Sequence, residues 1–209
     1  MDGLLDGVVV LDLTRVLAGP YSAMLLADMG ATVIKVENPK GGDDTRSMGP
    51  FVNGSSVYYA NFNRSKYGCT LNLKEPEGKE IFKEMVKRAD VVLENYRPGT
   101  MEKLGLGYDV LREVNPGIIY GAVSGFGHTG PYSKRAGYDI VGQAMGGLMS
   151  TTGWPGGDPT RTGTPMGDVL GGLNLAVGVL AALVNKAKTG RGEKVDVALV
   201  DSVVSVSYT

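Results

Sequence analysis

Val8-Val9-Val10-Leu11 and Thr32-Val33-Ile34-Lys35-Val36 bracket the segment whose reading decides the fold. Each is a short apolar run, as expected for a strand buried on both faces of its sheet. Residues 20–29 between them carry a helical pattern, and Gly30 supplies a C-terminal stop. Strand, helix and strand in this order form a βαβ unit, which implies parallel pairing.

The pattern continues outward. Residues 70–73 read as a short strand. Pro76 then opens a helix whose inner face is Ile81, Phe82, Met85, Val86 and Ala89. Residues 90–94 form the next strand, two short helical pieces follow before Asn115-Pro116, and residues 118–123 form another strand. Residues 138–149 read as a helix, and a long helix runs from Asp168 to Lys186, stopping near Gly190. Residues 195–199 are a final strand, and Val203-Val204-Ser205-Val206 reads as the start of a further element. Residues 39–63 are irregular, with turn signals at Gly41-Gly42-Asp43-Asp44 and Asn53-Gly54. The expectation is one α/β domain over residues 1–209: a doubly wound, mainly parallel sheet with helices on both faces.

Composition narrows the function. A net charge of −1 lacks the basic excess of a nucleic-acid binder. The single cysteine, Cys69, allows neither an internal disulfide nor a cysteine zinc site. The N-terminal residues lack the basic and apolar regions of a signal peptide. The longest apolar tract, residues 169–184, is interrupted by Gly171, Gly172, Asn174 and Gly178, so no membrane span is expected. A cytoplasmic protein is the simplest reading.

Several residues invite a chemical reading. Gly125-Phe126-Gly127-His128-Thr129-Gly130 matches a dinucleotide fingerprint, but Pro131 follows where a helix should begin, so a structural loop is expected. His128, the only histidine, is expected to be an exposed loop residue. Asp168 follows a Gly/Pro loop and opens the long apolar helix. From position alone the simplest reading is an N-cap or first-turn acid; the same position also suits a carboxylate nucleophile held ionised by unpaired N–H groups. Lys74, Arg97, Lys103, Lys134 and Arg135 lie near strand ends and loops, as solvated charge or as a phosphate clamp.

The ordered set of local motifs resembles the class III CoA-transferase family. It comprises Leu11-Asp12-Leu13-Thr14-Arg15-Val16-Leu17-Ala18-Gly19-Pro20, Asn63-Arg64-Ser65-Lys66, Leu71-Asn72-Leu73-Lys74, Glu94-Asn95-Tyr96-Arg97-Pro98-Gly99, Arg135-Ala136-Gly137-Tyr138-Asp139 and Lys188-Thr189-Gly190-Arg191-Gly192. The resemblance implies a Rossmann-like CoA-binding large domain. It implies Asp168 as nucleophile, passing through a mixed aspartyl anhydride and an aspartyl-CoA thioester, with acyl-CoA and a small carboxylic acid as substrates. No metal and no permanently bound cofactor would be needed. It also implies CoA contacts from Val16, Leu17, Ala18, Leu71, Asn72, Leu73, Lys74, Asn95, Tyr96, Arg97, Lys103, Tyr138 and Asp139. Family members are about twice as long, carry a second small domain absent here, and pair as interlocked homodimers. Formyl-CoA transferase has glutamine at the position of Leu17, which argues against a formyl/oxalate substrate pair, and arginine at that of Asn38, which implies that an adenine contact is missing or replaced here. Two other readings remain. An α-methylacyl-CoA racemase would need a histidine base where Tyr138 stands, and a fragment of this length is also readable as a non-catalytic CoA binder.

Overall fold

The computed structural model describes residues 3–207. The opening βαβ unit is present as β1 (Val9–Asp12), α1 (Ala18–Asp28) and β2 (Thr32–Glu37), with β1 and β2 parallel. A short hairpin, β3 (Phe51–Val52) and β4 (Ser55–Ser56), turns at Asn53 and Gly54, both with positive φ. The Asn-Gly pair was the turn signal there. After α2 (Val57–Phe62) come β5 (Lys66–Thr70), α3 (Pro76–Val86), β6 (Val91–Glu94), α4 (Thr100–Leu104), α5 (Tyr108–Val114) and β7 (Ile119–Ser124). The chain continues through α6 (Asp139–Met145), α7 (Met166–Thr189), β8 (Lys194–Ala198) and α8 (Leu199–Val204).

The main sheet has six strands in the order β5-β2-β1-β6-β7-β8, and every neighbouring pair is parallel. From β1 the chain builds one side through β2 and β5. It then crosses back to lay down β6, β7 and β8 on the other. This is the doubly wound order, and it leaves a crevice beyond the carboxyl ends of β1 and β6, where the winding reverses.

Alternation along the strands fills a core on each face. Val10, Val33, Val91, Leu93, Ile119 and Val123 pack with Ala23 and Leu26 of α1 and Leu175 and Val179 of α7. Leu11, Val36, Val92, Tyr120 and Ala122 pack on the opposite face with Phe82 and Val86 of α3, Met101 of α4 and Leu111 of α5.

Some boundaries differ from the sequence reading. Residues 71–73 lie just past β5 rather than within a strand. Ile81 is 52% exposed, so the inner face of α3 is Phe82, Met85 and Val86, continued by Ala89 just past the helix. The helix expected over residues 138–149 ends at Met145 and resumes as a single turn at Leu148–Thr151. Val203 and Val204 close α8 rather than open a new element.

Helix α7 is long and apolar enough to cross a membrane, but its Leu175, Ala176, Val179 and Ala182 are buried in the sheet-facing core. It crosses α1 closely. A Cβ on Gly172 would lie 2.5 Å from the Ala18 carbonyl oxygen and 3.0 Å from the Tyr21 ring. Gly172→Ala gains about 1 kcal/mol of helix propensity, yet it drives the new Cβ into the Ala18 carbonyl, which as backbone cannot easily give way. It should therefore lower stability, with a net loss of about 1–2 kcal/mol in urea denaturation.

Candidate active site at the winding reversal

Two cavities open beyond the strand ends. One, of about 190 Å³, is lined by Arg15, Val16, Leu17 and Ala18 from the β1–α1 turn, Asn95, Tyr96 and Arg97 after β6, Arg135 and Tyr138, and Asp168. The second, of about 360 Å³, is lined by Asn38, Lys40, Leu71, Asn72, Leu73, Lys74, Thr100 and Leu104. They meet at Arg15, Asp44 and Tyr96. Arg15 pairs with Asp44 at 3.5 Å and stacks over the Tyr96 ring at 5.3 Å, so this partition is a surface contact.

The β1–α1 turn is pinned at successive residues. The Thr14 N–H donates to Asp12 Oδ1 at 2.9 Å, and the Thr14 carbonyl accepts from Lys35 Nζ at 2.8 Å. The Asn95 side-chain amide closes on both backbone groups of Arg15, accepting at 2.8 Å and donating at 2.6 Å. Asn95 thus ties together the two loops that flank the crevice. Among the described residues no partner is seen for the Leu17 and Ala18 N–H groups at the start of the eleven-residue α1.

Asp168 does not cap α7. The helix starts at Met166, which places Asp168 in its first turn, and its side chain makes no cap hydrogen bond. Asp139 takes that role: its Oδ1 accepts from Gly167 N–H at 2.8 Å and Asp168 N–H at 3.3 Å. Met166 N–H goes to Thr164 O and Val169 N–H to Pro165 O. The first four amides of α7 are therefore all engaged, contrary to the expectation that they stabilise an anion at Asp168. Asp139 is held in turn by Gln143 Nε2 at 2.7 Å, and Gln143 Oε1 accepts from Thr162 N–H at 2.9 Å. Burial, with the Asp139 charge adding to it, pushes the Asp168 carboxyl up from 3.8 to about 7.

Of the remaining candidates, Tyr138 stands 73% exposed at the rim of the smaller cavity. Lys103 is exposed on α4 and lines neither cavity, although its neighbours Thr100 and Leu104 line the larger. Asp139 sits at the N-terminal end of α7 and lines neither. His128 is not a solvated loop residue. Its side chain is 7% exposed, with Nε2 3.4 Å from Glu94 Oε1 and Nδ1 3.1 Å from Lys194 Nζ. Glycines place it there: a Cβ on Gly125 would lie 2.5 Å from Gly137 Cα, so the two ends of this loop touch backbone to backbone. Sequence reasoning also missed Tyr58 of α2. Burial, and after it the charges of Asp168, Asp43 and Asp139, raise its hydroxyl to about 12.

A family profile for CoA-transferase family III matches residues 5–209. The chain belongs to that family. It is 46% identical over 204 residues to acetyl-CoA:oxalate CoA-transferase of Acetobacter aceti, covering 97% of this chain and 52% of that protein. It is 50% identical over 202 residues to human succinyl-CoA:glutarate CoA-transferase, covering 96% and 46%. A CAIB/BAIF family protein from Brucella suis superposes with a TM-score of 0.94 at 44% identity, over 99% of this chain and 56% of that one. The chain spans about half the length of the curated relatives it matches.

The raised Asp168 carboxyl has a consequence for stability. Well below the unfolded value of 3.8, Asp168 is protonated in folded and unfolded states alike. Between about 4 and 7 the unfolded chain releases this proton first, so stability falls as pH rises through the folded value of about 7. Asp168→Asn removes that penalty. The variant should be more stable than wild type at pH 8, and the gap should close toward pH 4 in urea denaturation. Equal stability at both pH values would contradict the burial argument.

Proposed function

We propose that this chain carries the acyl-CoA site and the nucleophile of a CoA-transferase, with Asp168 as the attacking residue. The observation that carries the reading is a carboxyl in the crevice with no capping duty, relieved of it by Asp139. A residue needed only to hold the helix would make the bonds that Asp139 makes.

The two joined cavities suit an extended ligand. The nucleotide end of CoA would occupy the larger, between residues 71–74 and Asn38, with Lys40 and Lys74 toward its phosphates. The pantetheine arm would pass Tyr96 into the smaller and bring the thioester to Asp168. Arg97 would meet phosphate in that passage, and Lys103 would reach from α4. Val16, Leu17 and Ala18 form the wall opposite, and the free Leu17 and Ala18 amides would meet charge developing on the thioester oxygen. Tyr138 would close the rim and Asp139 would act through α7.

In this reading the Asp168 carboxylate attacks the thioester carbonyl. The C–S bond breaks, CoA leaves as thiolate, and an aspartyl–acyl anhydride remains. The thiolate attacks the aspartyl carbonyl of that anhydride and expels the donor carboxylate, giving aspartyl-CoA. The acceptor carboxylate attacks this thioester in turn, breaks its C–S bond to expel CoA thiolate, and forms a second anhydride. Returning CoA takes the acceptor acyl group and frees Asp168. Each step exchanges one activated carboxyl for another, so no ATP or redox partner is consumed. The exposed apolar side chains of α7, Leu173, Val177 and Val184, would pack against the family's remaining half, from the same chain or an interlocked second copy.

Two experiments test this. Incubation with acyl-CoA and hydroxylamine, followed by peptide mass spectrometry, should place a hydroxamate on Asp168 in wild type and none at that position in Asp168→Asn. A hydroxamate elsewhere, or none, would count against Asp168. For the clamp, Arg97→Ala/Lys103→Ala should weaken CoA binding about tenfold or more, and the loss should grow as salt is lowered. Unchanged CoA affinity in calorimetry would sink the assignment.

A further inference from the structure

Val16 has φ of +68°. A β-branched residue rarely occupies the left-handed region, and such strain persists only where surroundings hold it. Here the holding group is Asp43. Its Oδ1 accepts from Val16 N–H at 3.2 Å, and also from Thr45 N–H at 3.0 Å and the Thr45 hydroxyl at 2.8 Å. Its Oδ2 meets Lys35 Nζ at 2.9 Å, and the two side chains are 0% and 1% exposed. Lys35 also donates to the Thr14 carbonyl, two residues before Val16.

A buried ion pair adds little net stability over well-packed apolar groups, so stability alone does not account for this one. Its bonds converge on one turn, at residues 14 and 16, immediately before Leu17 and Ala18 in the cavity wall.

We infer that Asp43 and Lys35 are positioning residues for acyl-CoA: they hold Val16 left-handed and thereby fix how Leu17 and Ala18 meet the ligand. This rests on the reading of the crevice as an acyl-CoA site. Neither residue lines the smaller cavity, so they act on the ligand there through the turn. Asp43 does line the larger one, and a direct contact there is the competing explanation that the test separates.

Glycine separates them, because it occupies the left-handed region without being held. CoA affinity and urea midpoints are to be measured for wild type, Asp43→Ala, Val16→Gly and the double variant. Asp43→Ala should weaken CoA binding about tenfold in the wild-type background and less than about threefold in the Val16→Gly background. The loss of urea midpoint from Asp43→Ala should be similar in both, since glycine does not repair the Thr45 and Lys35 contacts. An equal affinity loss in both backgrounds, or none in either, overturns the inference while leaving the site reading intact. Failure of the wild-type chain to bind CoA overturns both. Should Asp43→Ala not fold, Lys35→Met/Asp43→Leu, which fills the same space with apolar groups, carries the same comparison.

Discussion

Two ion pairs, each almost fully buried, anchor the carboxyl edge of the sheet. Asp12 at the end of β1 meets Lys66 at the start of β5 at 2.8 Å, and Lys35 near the end of β2 meets Asp43 at 2.9 Å. Burial alone would raise the Asp12 carboxyl, but the charges of Lys66 and Lys35 overcome it and hold Asp12 below its usual value. Charges this deep are tolerable only when every remaining polar site is used. Lys66 also donates to the Pro20 carbonyl and to Asn63, and Asp12 also accepts from Thr14. The geometry of the first βα turn therefore follows from satisfying these charges, and the crevice inherits its shape from that turn.

The fold was legible because parallel strands covered on both faces leave plain marks. Val8-Val9-Val10-Leu11 and the residue 118–123 run are continuous apolar stretches, and Pro76 and Gly30 punctuate helices where their backbone preferences require. What periodicity cannot carry is the fate of single side chains. Ile81 sits at a helical spacing consistent with the core yet faces water. Residues 71–73 have strand composition but follow the last β5 pairing, Glu37 with Thr70, and serve the larger cavity instead.

The site was legible in outline, and the reasons it was incomplete are physical. Asp168 could be read from its place after a loop and before a helix, but its protonation could not. The N–H groups thought free for it are taken by Asp139, twenty-nine residues earlier. Asn95 was read only as a ligand contact; it lines the smaller cavity, and its amide is also bonded to Arg15, a tie the sequence could not show. Lys35 lies in the middle of an apolar strand, and that much was visible. That it is buried and paired with Asp43 depends on a loop without periodicity. His128 reads as exposed because it lies in a glycine-rich loop, yet the glycines bring that loop down onto Glu94 and Lys194.

The environment of Asp168 bears on the chemistry proposed for it. A carboxyl raised to about 7 is only partly ionised at neutral pH, which by itself slows attack. The same burial strips water from the carboxylate, and the neighbouring Asp139 charge disfavours the anion further. Forming a neutral anhydride or thioester at Asp168 removes a buried negative charge from beside another, so both penalties are relieved as the bond forms. Turnover by the proposed route should therefore rise with pH through an apparent value near 7. Asp139→Asn keeps an oxygen able to accept the Gly167 and Asp168 N–H groups and removes the charge, so it should move that rise to lower pH. A rate profile that stays in place would mean that burial alone sets the Asp168 carboxyl and that Asp139 contributes only its hydrogen bonds.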